Sequence, residues 1–228
     1  MGTTAAEQVR AAASQTTAAK PAESADLLAW FQARQKLIGI SLGIIFGVGV
    51  VVWYVVVSGR QKQAQAFAAL ERARATVENG NFPEASSQLQ KVIQTYGGTD
   101  AALEATLALN QVRMMSGQSQ LAVDELRKLV ASSPVGAYGA GAHSHLAMAL
   151  ENTGKIADAT AEYLTAAQLA PESYRKVDAM LAAARGYRSQ GKLKEAIALL
   201  ADIVAKFPKE TAAVAEAEVR LGEMSPAR

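Results

Sequence analysis

Residues 145–171 read HLAMALENTGKIADATAEYLTAAQLAP. An alanine- and leucine-rich stretch runs into Gly154, a second begins at Lys155, and Pro171 closes it. Alanine and leucine are strong helix formers. Glycine suits a left-handed helix cap, and proline cannot continue the hydrogen-bond ladder. The stretch therefore predicts helix, tight turn, helix, stop.

The same punctuation recurs along the chain. Gly80, Gly117, Gly154 and Gly191 stand 37 residues apart, and Ala85, Ala122, Ala159 and Ala196 keep that interval. Pro134, Pro171 and Pro208 keep it too, with Gly97 at the corresponding place in the first unit. Three independent positions sharing one period mark an internal repeat. The fourth unit gives MLAAARGYRSQG and then KLKEAIALLADIVAKFP, again two helices around a glycine. The recurrent alanine leaves room for only a methyl group where the two helices cross.

These residues resemble the tetratricopeptide repeat. The third unit carries the pattern in Ala147, Gly154, Ala159, Tyr163, Ala166 and Pro171; the fourth in Ala184, Tyr187, Gly191, Ala196, Leu200 and Pro208. The first has Ala73, Gly80, Ala85 and Leu89, and the second departs at Asn110, where a small residue is usual. The family unit is 34 residues long, so the extra residues here are expected between units. The expected fold is all-α: a membrane helix, then an α-solenoid of about four helix pairs over residues 66–208. A C-terminal capping helix from Thr211 to Met224 completes a repeat domain of 66–228. The stretch 136–141, with three glycines, is expected to be the long loop between the second and third units.

The resemblance implies a concave groove lined by the first helix of each pair. Carried over, the inward positions fall on Glu104, Met115, Met148, Arg185 and Arg188, with Gln111, Met114 and His145 nearby. Methionine adapts to varied apolar partners and paired arginines hold carboxylates. The expected ligand is a short, partly apolar, acidic-ended segment of another protein, although the same methionines could pack between helices and the arginines could be solvated. The lysine and asparagine clamp with which some repeat proteins hold chaperone tails is not present at matching positions.

Residues 37–57, LIGISLGIIFGVGVVVWYVVV, contain no charge. A helix of that length reaches about 30 Å, the thickness of a bilayer's hydrocarbon core. Trp30, Arg34 and Lys36 precede it, and Trp53, Tyr54, Arg60 and Lys62 close it, as interface anchors do. The run is longer than a signal peptide's apolar core and follows a substantial tail, so an uncleaved signal anchor is expected. Gly39, Gly43 and Gly47 form GxxxGxxxG, a spacing that lets a second helix pack closely. The Ala-, Thr- and Ser-rich tail 1–23 is expected to be disordered. Residues 24–36, with Leu27, Leu28, Trp30 and Phe31 on one face, read either as a helix at the interface or as the first turns of the span. Residues 58–65 join the span to the repeats.

Composition narrows the function. A net charge of +2, evenly spread, gives no footprint for nucleic acid. The absence of cysteine excludes disulfides and thiolate chemistry. The two histidines, His143 and His145, are two apart and point to different helix faces, a poor arrangement for metal or for acid–base work. No cofactor and no enzymatic activity are expected. The tail, Trp30-Phe31, the single span and the repeats together are similar to the ancillary subunit of the bacterial Sec translocon. That resemblance implies a protein of the inner membrane with a cytoplasmic N-terminus and periplasmic repeats. Flanking charge alone leans slightly the other way, with three basic residues before the span and four after. The implied partners are translocon subunits, exported chains and chaperones. The alternative is a structural subunit of another inner-membrane complex, respiratory, photosynthetic or assembly machinery, docked through its span.

Overall fold

The computed structural model describes residues 22–132 and 136–224, with side chains described from Phe46 onward, Ala137 apart. The chain forms two compact units, Met1–Gly59 and Arg60–Arg228. Helix α1, Ala22–Glu78, begins in the first and ends in the second.

In the first unit, Phe46, Val48 and every residue from Val50 to Val56 are exposed. Consecutive exposed apolar residues mean that α1 is apolar on all sides there, unlike a helix with one core-facing stripe. Among the described residues no helix is long and apolar enough to cross a membrane. The side chains of 37–45, Gly39 and Gly43 among them, lie outside the described set, as does the tail 1–21. Gly47 has open space where a side chain would project.

In the second unit, burial starts at Ala66. Ahead of it, Lys62 donates to the Gly97 carbonyl and Gln63 to Asp100. Eight more helices follow: α2 Phe82–Thr95, α3 Asp100–Met115, α4 Ser119–Ala131, α5 Gly136–Asn152, α6 Ile156–Leu169, α7 Ser173–Ser189, α8 Leu193–Lys206 and α9 Thr211–Met224. Each packs on its chain neighbour, and α3 also meets α5. This is an all-α solenoid in which α1, α3, α5 and α7 are first helices and α2, α4, α6 and α8 second helices.

The periodic glycines do what their spacing predicts. Gly80, Gly117, Gly154 and Gly191 have φ between 74° and 78°, the left-handed region that ends a helix and that side chains with a Cβ disfavour. The periodic alanines are buried. Asn81 and Thr99 cap α2 and α3 through their side-chain oxygens. Asn110, the departure from the repeat pattern, is fully buried and satisfied: its amide donates to the Thr106 carbonyl and its oxygen accepts from Arg113.

The glycine-rich stretch 136–141 is not a loop. It forms the first turns of α5. A Cβ on Gly141 would lie 3.3 Å from Leu107 Cδ1, so glycine here lets α3 approach α5. Residues 133–135, Pro134 among them, lie outside the described residues.

Three apolar clusters run along the solenoid. One joins α1, α2 and α3 around Leu70, Leu89 and Val112. The next joins α3 to α7 around Leu126, Leu146 and Leu150. The last joins α6 to α9 around Val177, Leu200 and Ile203. Helix α9 buries Ala217 against it and leaves Val219 exposed, as a terminal cap must.

Candidate functional site

On each first helix one stripe of residues is left for the groove. In α3 it is Glu104, Leu107, Ala108 and Gln111; in α5, Gly141, Ser144, His145 and Met148; in α7, Asp178, Leu181, Ala182 and Arg185. Each set follows helical spacing, and each lies 37 residues beyond the last. The groove is therefore a product of the repeat: identical register, different chemistry.

Two adjoining cavities fill it. The first, about 550 Å³, lies between α5 and α7 and is closed by Tyr163 of α6 and Glu216 of α9. The second, about 580 Å³, is bounded by Arg74 and Glu78 of α1, the α3 stripe and Tyr138 of α5. Gly141, His145 and Arg175 border both. Such volumes suit a short ligand segment.

Polar contacts set its electrostatics. Arg74 is hydrogen-bonded to Glu104, whose other oxygen accepts from Tyr138 at 3.3 Å. Tyr163 donates to Glu151 at 2.9 Å, and burial followed by the nearby carboxylate pushes its pKa up. Arg175 pairs with Glu172. Arg185 makes no hydrogen bond or ion pair among the described residues, nor does Asp178.

His145 sits half-buried where the cavities meet. Its Nδ1–H donates to the Gly141 carbonyl at 2.9 Å, which leaves Nε2 as a free acceptor on the neutral ring. Burial lowers its pKa from 6.5, and the Gly141 carbonyl opposes that shift. With the folded value below the unfolded one, the unfolded chain binds the proton first as pH falls. The stability contributed is complete above about pH 6.5 and is lost below it. Wild-type protein should therefore lose more stability between pH 7 and pH 5 than His145→Gln, measured by urea midpoints. Equal losses would contradict this account of His145.

Among the residues predicted from sequence, Glu104, Gln111, His145, Met148 and Arg185 come together here. Met115 is exposed at the end of α3, outside both cavities, and Met114 turns inward to the core. Arg188 lines a separate cavity with Arg185 and Arg220, and pairs with Glu223. Arg74, Tyr138, Arg175 and Asp178 were not anticipated. The repeat interval pointed to Asp178, which stands two periods after Glu104.

His143 faces Glu162 at 2.6 Å while His145 turns to Gly141. Among the described residues no group of three or more metal-ligating side chains converges.

The sequence profile described as "Tetratricopeptide repeat-like domain" matches residues 28–196. No curated protein sequence matches the chain. Among solved structures, the chain is similar to nearly identical TPR-like repeats assigned to a Podosopora anserina kinesin light chain. The TM-score is 0.60 at 22% identity, over 71% of this chain and 85% of that one. It is similar to MamA from Desulfovibrio magneticus RS-1, with TM-score 0.52 and 15% identity over 64% and 77%. It is also similar to YrrB, described as a TPR protein with an unusual peptide-binding site. There the TM-score is 0.50 and the identity 18%, over 67% and 74%. At these identities the likeness establishes the fold.

Proposed function

The chain belongs to the tetratricopeptide repeat-like domain family, and from that premise we propose that it is a membrane-anchored scaffold which binds a segment of another protein in the groove of α3, α5 and α7. The carrying observation is the groove itself. Its lining repeats in register, and its walls mix Met148 and Leu181 with the charged Asp178 and Arg185. YrrB, a fold relative, is described as having a peptide-binding site.

Residues 37–57 are the proposed anchor. The exposed all-apolar surface at 46–56 supports this, because so large an apolar surface needs cover from lipid or protein. The profile match starting at residue 28 also takes the run inside the family region. The proposed setting is the bacterial inner membrane, with a cytoplasmic tail and periplasmic repeats. The proposed role is an ancillary, chaperone-adaptor subunit of the protein-export channel. Partners would be channel subunits, exported chains and chaperones.

The test is affinity purification of the full chain from native membranes in mild detergent, with mass spectrometry of what co-purifies, for wild type and Met148→Glu. Met148 is 41% exposed in the groove, so this change places a charge there without opening the core. The proposal expects membrane retention and export-channel subunits with wild type, and loss of chaperone or client with Met148→Glu. One stoichiometric assembly without channel components would instead identify a structural subunit docked through its span. Recovery of the chain in the soluble fraction would sink the anchor.

A further inference from the structure

The repeat register explains why two charges in the groove have no ion pair, Arg185 being near enough to Tyr163 to act on it only electrostatically. Arg74 of α1 reaches forward to Glu104 of α3. Two periods later the equivalent pair is Met148 and Asp178, and three periods later it is Arg185 and Ala215. Asp178 therefore lacks the arginine that its position elsewhere enjoys, and Arg185 lacks the carboxylate. Both are exposed, both line the cavity between α5 and α7, and neither has an ion pair or hydrogen bond among the described residues. The other arginines of that cavity wall and its neighbour, Arg175, Arg188 and Arg220, are paired with Glu172, Glu223 and Glu216.

Asp178 and Arg185 are seven residues apart on one helix, so they share a face and lie about 10.5 Å apart along the axis. Between them the wall is Leu181 and Ala182, with Met148 opposite on α5. A ligand that fills this wall must present a cation to Asp178, an anion to Arg185 and small or apolar groups between.

We propose that the α5–α7 cavity selects an extended peptide segment carrying a basic and an acidic side chain three residues apart, the intervening residues being small or apolar. This rests on the groove-binding function proposed above. In polyproline II geometry, residues three apart share an edge and lie about 9 Å from one another, close to the spacing of the two charges. In a helical ligand, residues three apart lie only about 4.5 Å from one another along the axis, short of that spacing. The expected ligand is thus mixed in charge, where sequence pattern alone suggested an acidic one.

The experiment is fluorescence polarisation with the full 228-residue chain in detergent micelles. The probes are labelled nonapeptides of serine and leucine. They carry lysine and glutamate three positions apart, the same pair five apart, two lysines, two glutamates, or no charge. Wild type should bind the mixed pair at three positions about tenfold tighter than the uncharged peptide, as expected of two ion pairs at a partly exposed surface. D178R should transfer the preference to two glutamates, and R185E to two lysines. Both positions are exposed, so neither change disturbs the core. Binding that ignores charge and spacing overturns the charge inference and leaves the groove function standing. Failure of wild type to bind any of the nonapeptides overturns both.

Discussion

Leu200→Ala loses about 3 kcal/mol of stability, and the loss is felt at one end of the solenoid. Leu200 is fully buried in the cluster shared by α6, α7, α8 and α9. Truncating a core leucine to alanine removes its transfer energy and leaves a cavity, typically costing about 2–5 kcal/mol. In a solenoid each unit leans only on its neighbours, and the cluster of α1, α2 and α3 shares no residue with that of Leu200. Hydrogen exchange should therefore show protection falling first in α7, α8 and α9, with α2 and the α1 residues beyond Ala66 holding longer. A uniform fall across all repeats would mean that the domain unfolds as one cooperative block.

Gly186→Ala costs about 2–3 kcal/mol, a large effect for one methyl group. A Cβ at Gly186 would stand 2.2 Å from Thr160 Oγ1 and 3.2 Å from Thr160 Cβ. Thr160 cannot swing aside cheaply, because its hydroxyl donates to the Ile156 carbonyl and accepts from Gln190. Overpacking of this kind costs about 1–3 kcal/mol, well above the small gain in helix propensity that alanine otherwise brings. Thr160→Ala removes the clashing oxygen. The double variant should therefore recover much of the loss seen in Gly186→Ala, measured as a positive coupling in a urea-unfolding cycle. No coupling would mean that α6 and α7 do not cross at these residues.

The fold was legible where one residue type had one physical job. The glycines at 80, 117, 154 and 191 take positive φ, and the alanines that share their period are buried. Spacing alone placed both. Legibility failed at 136–141, where three glycines in six residues look like a loop. The structure uses Gly141 for a close helix approach to Leu107, which depends on a partner far away in sequence. The groove was legible in part for a related reason. Glu104, Gln111, Met148 and Arg185 follow the repeat's inward register, and the cavity holds them. Met115 ends α3 beyond the cavity, so its side chain is exposed outside it. Arg188 lies one residue group past the stripe and is drawn to Glu223 on α9. Asp178 and Arg74 needed the register to be compared across units rather than read unit by unit. That Asp178 and Arg185 have no ion pair among the described residues is a fact about missing partners, which no single position reveals.

The central claim is that the groove of the first helices, and not the outer face, is where partners bind. A photo-crosslinking amino acid placed at Met148, or separately at Leu193 on α8, tests it in native membranes. Both side chains are similarly exposed, at 41% and 48%, but only Met148 lines the groove cavities. The account predicts a discrete protein adduct from Met148, weakened by D178R alone and by R185E alone, and none from Leu193. An adduct from Leu193 with none from Met148 would place the partner on the outer face and contradict the account.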